Sequence, residues 1–176
     1  MVVWIIGLSG AGKTTLANEV VAIVRRFQSN VVLIDGDMIR EVFGNDLGYT
    51  MADRLANAQR ICQLGKFLED QGINTVCAIL SLFPETRAWN RNNLNNYYEV
   101  FIDTPIENLI KRDSKGIYNR FNRGEISDVA GMDIEFPRPD NADLIISNTK
   151  SKHELLAYAE SIAQKIMDVV SDDLSV

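Results

Sequence analysis

The sequence predicts an α/β protein in which a parallel β-sheet is covered by helices on both faces. Three observations support this fold class. Short apolar runs rich in β-branched residues recur along the chain, segments with helical spacing of apolar residues separate them, and neither repeats nor low-complexity linkers interrupt the alternation. Such alternation is typical of a parallel sheet. The length of 176 residues predicts one domain, residues 1–176, with one substantial core.

Five apolar runs are the predicted strands. They comprise residues 2–6, 31–34, 73–80, 97–102 and 144–146. In a parallel sheet of this kind, ligands bind at the carboxyl ends of the strands. The residues that follow each run are therefore the first candidates for function.

Helices are predicted in the intervals between the strands. After the first strand, apolar residues recur at helical spacing, namely Leu16, Val20, Ile23, Val24 and Phe27. A long helix is predicted over residues 51–70, ended by Gly72, and its expected buried side comprises Leu55, Ile61, Leu64 and Leu68. The polar stretch 84–96 is also expected to be helical.

Capping sequences mark two further helix starts. After the fourth strand, Thr104 is the predicted N-cap, with Pro105 at N1 and Glu107 at N3. Ser151 and Glu154 form a second predicted capping box. The helix that it opens is expected to present one apolar face, which consists of Leu155, Ala159, Ile162, Ile166 and Val169.

The segment after the first strand carries the motif G-x-x-x-x-G-K-[ST] between a predicted strand and a predicted helix. Its glycines allow successive N–H groups to face phosphate oxygens, and the helix start adds free N–H groups and a positive dipole end. Lys13 can approach the β- and γ-phosphates, and the Thr14 hydroxyl can bind Mg²⁺. We therefore expect a three-layer P-loop NTPase fold. The predicted ATP-binding residues are Gly7, Leu8, Ser9, Gly10, Ala11, Gly12, Lys13, Thr14 and Thr15.

Composition excludes several classes of protein. The net charge of −6 argues against a general nucleic-acid binder. No apolar run reaches the roughly 20 residues that a membrane span needs, and a signal peptide is not expected. Cys62 and Cys77 lie in apolar segments without metal or redox spacing, so they are expected to be core thiols of a cytoplasmic protein. The single histidine, His153, is expected on the surface of a helix.

Two carboxylates follow the second strand, in the sequence Asp35-Gly36-Asp37, and Arg40 lies one helical turn beyond. Carboxylates beside a Mg-nucleotide can hold metal-bound waters and orient or deprotonate an attacking hydroxyl. An Asx turn with an N-cap is the structural alternative. It explains one aspartate but not both together with Arg40.

Two more stretches are candidates for phosphate binding. On the helix over residues 51–70, Asp53, Asn57 and Arg60 fall on one side with Arg54 beside them, although charged helix faces are usually only solvated. Residues 111–140 are charged, glycine-punctuated and locally basic. This composition is typical of a mobile lid that closes on phosphates, with a solvated helix–loop–helix as the alternative.

These motifs together resemble the adenylylsulfate kinases, P-loop enzymes that phosphorylate the 3′-hydroxyl of adenosine 5′-phosphosulfate (APS). The resemblance covers nearly the whole chain. Besides the phosphate loop it includes five further segments. The first is residues 33–37 together with Arg40, and the second is residues 46–49 together with Asp53, Arg54 and Asn57. The other three are residues 100–105, 112–118 and 124–126.

The resemblance implies a role for each matching residue. Thr14 would bind Mg²⁺ and Asp35 would order its waters, while Asp37 would orient or accept the proton of the ribose 3′-OH, with Lys13 on the phosphates. Ser81 matches a serine described in the family as a phosphoserine site; because in-line transfer needs no covalent intermediate, we expect a pocket residue. Family members are often dimers, so a homodimer is an open expectation. The implied acceptor-binding residues are Arg40, Tyr49, Arg54, Asn57, Leu80 and Lys115.

Four departures from the family pattern stand out. The family usually has Ile-Ser-Pro-Tyr-Arg where this chain has residues 80–84, so an arginine is lost, although Arg87 remains. Val129 replaces a lid phenylalanine expected to clamp the acceptor base, Tyr49 replaces a phenylalanine, and Phe136-Pro137 replaces Tyr-Glu. Loss of an aromatic clamp costs about 1–3 kcal/mol of stacking, enough to change the preferred acceptor.

The sequence leaves four functions open. The first is APS kinase, an ATP-dependent phosphotransferase with an alcohol group as acceptor. The second is a related kinase for another nucleotide ribose, such as a cytidine diphosphate derivative (cytidine diphosphoramidate) in capsule synthesis. A GTPase switch is disfavoured because no Asn-Lys-x-Asp motif occurs and Asp-x-x-Gly, as at residues 128–131, comes far too late. A non-catalytic nucleotide-binding module is disfavoured because Lys13, Thr14, Asp35 and Asp37 are all present.

Overall fold

The computed structural model describes residues 1–173, with side chains to residue 169, and its five strands form one parallel sheet. The strand order is β2-β3-β1-β4-β5. The strands are β1 (Val2–Ile6), β2 (Val31–Asp35), β3 (Asn74–Ile79), β4 (Tyr97–Asp103) and β5 (Leu144–Ser147). Because β1 is the central strand, its carboxyl end opens into the crevice of the sheet.

Eight helices are described, and they cover both faces of the sheet. They are α1 (Lys13–Val24), α2 (Gly36–Val42), α3 (Met51–Asp70), α4 (Pro84–Asn93), α5 (Ile106–Arg112), α6 (Ile117–Asn122), α7 (Lys152–Leu156) and α8 (Ala159–Asp173). None of the described helices is both long and apolar enough to cross a membrane.

The two faces of the central strand lie in separate cores. Val3 and Ile5 pack with α1 and α8, whereas Val2, Trp4 and Ile6 pack with residues of α3. All five residues are fully buried, as expected for a strand between two helical layers. The predicted fold class, a parallel sheet flanked by helices, is therefore confirmed.

The predicted core thiols and surface histidine are also confirmed. Cys62 and Cys77 are free and buried, and desolvation raises the pKa of Cys62 to about 12. A thiol with so high a pKa is protonated at neutral pH and is a poor nucleophile. His153 is exposed on α7.

Several predicted helix details are wrong. Helix α1 ends at Val24, and Phe27 lies beyond it with 73% of its surface exposed. Thr104 is not an N-cap, because Pro105 itself is the extended residue before α5. Thr104 Oγ1 is buried without a hydrogen-bond partner among the described residues. Pro105 has φ −55° and ψ 138°, which is not helical, so the helix starts at Ile106 and Thr104 lies one residue too early to cap it.

The last predicted helix is divided in two. Ser151 caps α7 by accepting from the Glu154 N–H at 3.3 Å, as predicted. The Glu154 carboxylate lies instead 3.9 Å from Lys150 Nζ. The chain turns between Leu156 and Ala159 before α8 begins. Within the long α3, Leu55, Leu64 and Leu68 are only half-buried, and the buried residues are Asn57, Ala58, Ile61, Cys62 and Gly65.

Candidate functional site

One cleft of about 730 Å³ lies at the carboxyl edge of the sheet. It extends from the phosphate loop, past the ends of β2 and β3, to the segment 126–130. This is where a parallel α/β sheet binds its ligands. The cleft therefore brings the predicted phosphate-binding, carboxylate and lid residues to one place.

The phosphate loop is held in a conformation that only glycine suits. Gly12 has φ +99° and immediately precedes α1, and a Cβ there would lie 2.5 Å from Leu155 Cδ2. At Gly7, a Cβ would lie 2.9 Å from the Ile102 carbonyl oxygen. A side chain at either position would therefore collide with its neighbours. Without one, the first N–H groups of α1 can face the cleft.

Lys13 lies inside this loop. Its Nζ donates to the Leu8 carbonyl at 2.9 Å. Desolvation, and then the positive charge of Lys115, lower the pKa of Lys13 to about 8, while Asp35 and Asp37 act in the opposite direction. Burial therefore disfavours the charged form of Lys13, and the two nearby carboxylates compensate only in part. The arrangement is poised for the negative charge of a phosphate group.

Asp35 fulfils both of the roles considered from its sequence context. It caps α2, because its Oδ1 accepts from the Asp37 N–H at 2.9 Å. Its Oδ2 accepts from Thr14 Oγ1 at 2.9 Å. A hydroxyl and a carboxylate so close together are oxygen ligands of the kind that Mg²⁺ prefers. The described residues contain no group of three or more histidine, cysteine or acidic side chains that could hold a metal. The Thr14–Asp35 pair suits Mg²⁺, because this ion usually takes one or two protein ligands together with nucleotide phosphates and waters.

Asp37 stands between the phosphate loop and the predicted acceptor residues. Its carboxylate lies 3.3 Å from Lys115 Nζ, 3.7 Å from Arg40 Nη1 and 3.5 Å from the Tyr49 hydroxyl. About half of its side chain is exposed to the cleft. The carboxylate is therefore accessible to a hydroxyl that enters the cleft.

Arg40 and Asn57 form the inner wall of the predicted acceptor side of the cleft. Arg40 is buried and donates to the carbonyls of Gly48 at 3.2 Å and Gly36 at 3.1 Å. Asn57 Nδ2 also donates to the Gly36 carbonyl, and its Oδ1 is buried without a hydrogen-bond partner in the described part of the chain. A bound molecule with a suitable donor would satisfy this oxygen.

Tyr49 lies between two arginines. The guanidinium carbons of Arg40 and Arg54 are 4.7 Å and 5.7 Å from the ring centroid. Arg54 also donates to the Tyr49 carbonyl at 2.7 Å and to the Asp128 carbonyl at 2.8 Å. Tyr49 itself is 58% exposed and lines the cleft.

The helix face predicted around Arg54 is split in the structure. Arg54 and Asn57 line the cleft. Asp53 instead accepts from the Thr50 hydroxyl at 2.7 Å, and Arg60 forms a bidentate ion pair with Asp46. The latter two side chains are structural.

Leu80 and Ser81 line the floor of the cleft where β3 ends. Ser81 is buried in a left-handed conformation with φ +58°. Trp4 Nε1 donates to its hydroxyl at 3.4 Å, and Arg87 Nη1 donates to its carbonyl at 3.0 Å. Arg87 is buried behind the floor, so it does not replace the arginine that the family pattern places in the pocket.

The segment 111–140 covers the cleft from the other side. Tyr118 is buried and donates its hydroxyl to the Ser9 carbonyl at 2.9 Å. Val129 and Ala130 line the cleft. Phe136 does not: its ring stacks on Phe101 with centroids 6.0 Å apart. Three of the departures, at residues 49, 80–84 and 129, therefore include residues that line the cleft, and the one at residue 136 belongs to the core.

Two contacts of the phosphate loop escaped prediction. Asn148, after β5, is buried and donates to the Ala11 carbonyl at 2.9 Å. Tyr118 contacts Ser9 from the segment 111–140. Position after a strand end was the available signal for Asn148, whereas nothing local marked Tyr118.

Comparison with known proteins gives consistent relatives. The sequence profile described as adenylylsulphate kinase matches residues 1–147. The chain is 36% identical over 165 residues to a cytidine diphosphoramidate kinase of Campylobacter jejuni, covering 94% of this chain and 95% of the relative. It is 34% identical over 172 residues to an adenylyl-sulfate kinase of Clostridium kluyveri, covering 97% of this chain and 83% of the relative.

A solved structure has the same fold. The APS kinase of Mycobacterium tuberculosis in complex with AMPPNP and APS superimposes with a TM-score of 0.83 at 32% identity, covering 94% of this chain and 96% of the other. The profile match spans most of the chain, and the sheet order and phosphate loop agree with it. The chain belongs to the adenylylsulfate kinase family of ATP-dependent kinases.

Proposed function

We propose that the protein transfers the γ-phosphoryl group of ATP to the ribose 3′-hydroxyl of a nucleotide, and that the acceptor is APS. The observation that carries the proposal is the position of Asp37. Its carboxylate contacts Arg40, Tyr49 and Lys115, and its charge also acts on Lys13 of the phosphate loop. A base at this boundary suits transfer between two ligands that bind on either side.

The donor side would be formed by residues 7–15. Backbone N–H groups of the loop and the Lys13 ammonium would hold the β- and γ-phosphates. Thr14 and Asp35 would hold Mg²⁺, which when bound neutralises charge on the transferred group. Asn148 would support the loop through Ala11. With these contacts the γ-phosphorus would lie at the Asp37 end of the cleft.

The reaction would proceed by direct in-line transfer. Asp37 would accept the proton of the 3′-hydroxyl while the oxygen of that hydroxyl bonds to the γ-phosphorus. The bond between the γ-phosphorus and the β,γ-bridging oxygen would break, and ADP would leave with that oxygen. Lys115 would move from Asp37 to the charged acceptor or to the γ-phosphoryl oxygens. Ser81 would shape the pocket floor, since its hydroxyl is buried against Trp4. The segment 111–140 would act as the lid of a single kinase domain that excludes water.

A cytidine diphosphate derivative is the second candidate acceptor. Val129 lines the cleft where the family pattern has an aromatic clamp, so the acceptor base loses a stacking partner on the lid side. The relative from Campylobacter jejuni that is named for such an acceptor aligns over nearly the whole chain. These two observations support a different base without any change in the phosphoryl transfer.

A panel of acceptors tests the proposal. Initial rates with ATP and Mg²⁺ would be measured for APS, cytidine diphosphoramidate, CDP and adenosine nucleotides at equal concentrations. We expect 3′-phosphorylated APS as the major product. Absence of turnover with APS, together with turnover of a cytidine diphosphate derivative, would replace the first candidate by the second. A Val129→Phe variant should shift the ratio of kcat/KM toward the adenine nucleotide by about fivefold, the lower end of one stacking contact.

A further inference from the structure

A compact turn spans residues 127–134 and is held by one carboxylate. Asp133 Oδ2 accepts from the Asp128 N–H at 2.9 Å, and Oδ1 accepts from the Val129 N–H at 2.6 Å. Asp128 has φ +63°, a conformation that costs free energy for a residue other than glycine. The two charge-assisted bonds offset that cost.

The 127–134 turn contacts the acceptor wall through its backbone. The Asp128 carbonyl accepts from Arg54 Nη2 at 2.8 Å, and Arg54 Nε donates to the Tyr49 carbonyl at 2.7 Å. One guanidinium thus joins the turn to the loop that carries Tyr49. Val129, the next residue of the turn, lines the cleft directly.

The same turn contacts the phosphate loop. Gly131 has φ +84°, and a Cβ there would lie 3.0 Å from Leu8 Cδ1. The Leu8 carbonyl in turn accepts from Lys13 Nζ. The 127–134 turn therefore contacts Arg54 on one side of the cleft and Leu8 on the other.

Asp133 is well suited to hold the turn without belonging to the core. Its side chain is exposed, and four backbone N–H groups, of residues 128, 129, 133 and 134, outweigh desolvation and lower its pKa. The carboxylate is therefore ionised throughout the neutral range. Removing it should loosen the turn but leave the sheet intact.

We propose that Asp133 is a positioning residue for the acceptor: by holding the Asp128 and Val129 N–H groups, it fixes the Asp128 carbonyl on Arg54 and Val129 over the acceptor side. This inference rests on the proposed function, since it assigns an effect on acceptor binding. Asp133 lines no part of the cleft and acts only through the turn.

Kinetics of three variants test the proposal. In Asp133→Ala both hydrogen bonds are lost, and KM for the acceptor should rise about tenfold. In Asp133→Asn one acceptor oxygen remains, so the rise should be about threefold. KM for ATP should stay within about twofold in both, because the donor side keeps its own contacts. The matched control is Glu135→Gln, which removes a charge from an exposed side chain two residues away that has no partner among the described residues.

Equal increases in the KM values for ATP and acceptor, or an unchanged acceptor KM in Asp133→Ala, would overturn the proposal. So would an equal effect of Glu135→Gln. Combination with Arg54→Lys gives a further check, because two residues that act through one contact have non-additive effects on acceptor KM. Fully additive effects would show that Asp133 does not act through Arg54.

Hydrogen exchange separates this inference from the proposed function. The amides of residues 128 and 129 should exchange at least about tenfold faster in Asp133→Asn than in the wild type, and Glu135→Gln should leave them unchanged. If the wild type phosphorylated none of the acceptors, the proposed function would fail, yet exchange and the binding of APS or CDP would still decide the role of Asp133. Unchanged exchange of the amides of residues 128 and 129 in Asp133→Asn would overturn the positioning role of Asp133.

Discussion

Asp37 is the carboxylate on which the proposed chemistry depends. It has Lys115, Arg40 and Tyr49 as neighbours, and all three belong to the proposed acceptor side. Asp35, two residues earlier, is occupied by Thr14 and by the cap of α2. The two carboxylates are therefore suited to different tasks, although the sequence places them side by side.

Replacement of Asp37 by asparagine should lower kcat by about 10²- to 10⁴-fold, the usual contribution of general-base catalysis. ATP affinity should stay nearly unchanged, since Asp37 makes none of the loop contacts. Steady-state kinetics and calorimetry with a non-hydrolysable ATP analogue measure the two effects. The control is Asp46→Asn, a carboxylate that pairs with Arg60. Turnover like that of the wild type would remove Asp37 from the mechanism.

Lys13 should make ATP binding depend on pH in the alkaline range. In the free protein its pKa is about 8, and bound phosphates raise that value. Below pH 8 the Lys13 side chain is already protonated before ATP binds. Above pH 8 this amine must take up a proton when ATP binds, so the affinity for ATP should fall by up to about tenfold per pH unit.

The dissociation constant of an ATP analogue between pH 7.5 and 9.5 measures this slope. In Lys13→Arg, the guanidinium stays charged throughout, and the slope should disappear even if the affinity at pH 7.5 differs. A flat profile in the wild type would contradict the lowered pKa of Lys13.

At the scale of single elements, the connection between β1 and α1 depends on Gly12. Its φ of +99° strains any other residue, and a Cβ would press on Leu155 of α7. Gly12→Ala should therefore lower the free energy of unfolding through two contributions. The left-handed backbone contributes strain, and the contact with Leu155 should add at least about 1 kcal/mol to that loss through overpacking. Urea unfolding provides the measurement.

Gly72→Ala is the matched control for Gly12. Gly72 also has a left-handed φ, +73°, but no atom lies within 4 Å of its would-be Cβ. It therefore carries the strain without the contact. Equal losses of stability in the two variants would show that the Leu155 contact does not matter.

The strands and the long α3 could be predicted because their patterns are continuous and local. The predicted bounds 2–6 and 51–70 coincide with β1 and α3. Details that depend on one backbone angle failed: the extended conformation of Pro105 displaced the expected cap at Thr104. The start of α7 was predicted by Ser151, but its local pattern gave no sign of the break before α8.

The candidate site was predictable to the extent that its residues follow strand ends. Asp35, Asp37, Leu80 and Ser81 all do so, and the structure brings them into one cleft. Tyr118 contacts Ser9 across 109 residues of sequence, and no local pattern reveals such a pair. The structural role of Arg87 was equally hidden, because its partner is a backbone carbonyl.

At the scale of the whole molecule, ligand binding should raise thermal stability. A ligand at about 100 times its dissociation constant adds ~2.7 kcal/mol, which corresponds to about 5–10 °C in Tm for a chain of this size. Mg-ATP should produce such a shift in the wild type. Differential scanning fluorimetry measures it.

Two controls show whether the shift comes from the candidate site. Chelation of Mg²⁺ should remove most of the shift, because Thr14 and Asp35 then contribute no metal contacts. Lys13→Ala should also lose most of it, whereas Glu135→Gln should keep it. A full shift in Lys13→Ala would place nucleotide binding elsewhere on the protein.

The hydrogen bond from Trp4 to Ser81 gives the protein an optical reporter of its own. Trp4 is fully buried in the central strand, and its indole touches the floor of the cleft. The chain has two tryptophans, and the other, Trp89, is half-buried on α4. In a Trp89→Phe variant, the emission of a single indole would therefore follow the state of that floor, and titrations of nucleotides could be followed without any label.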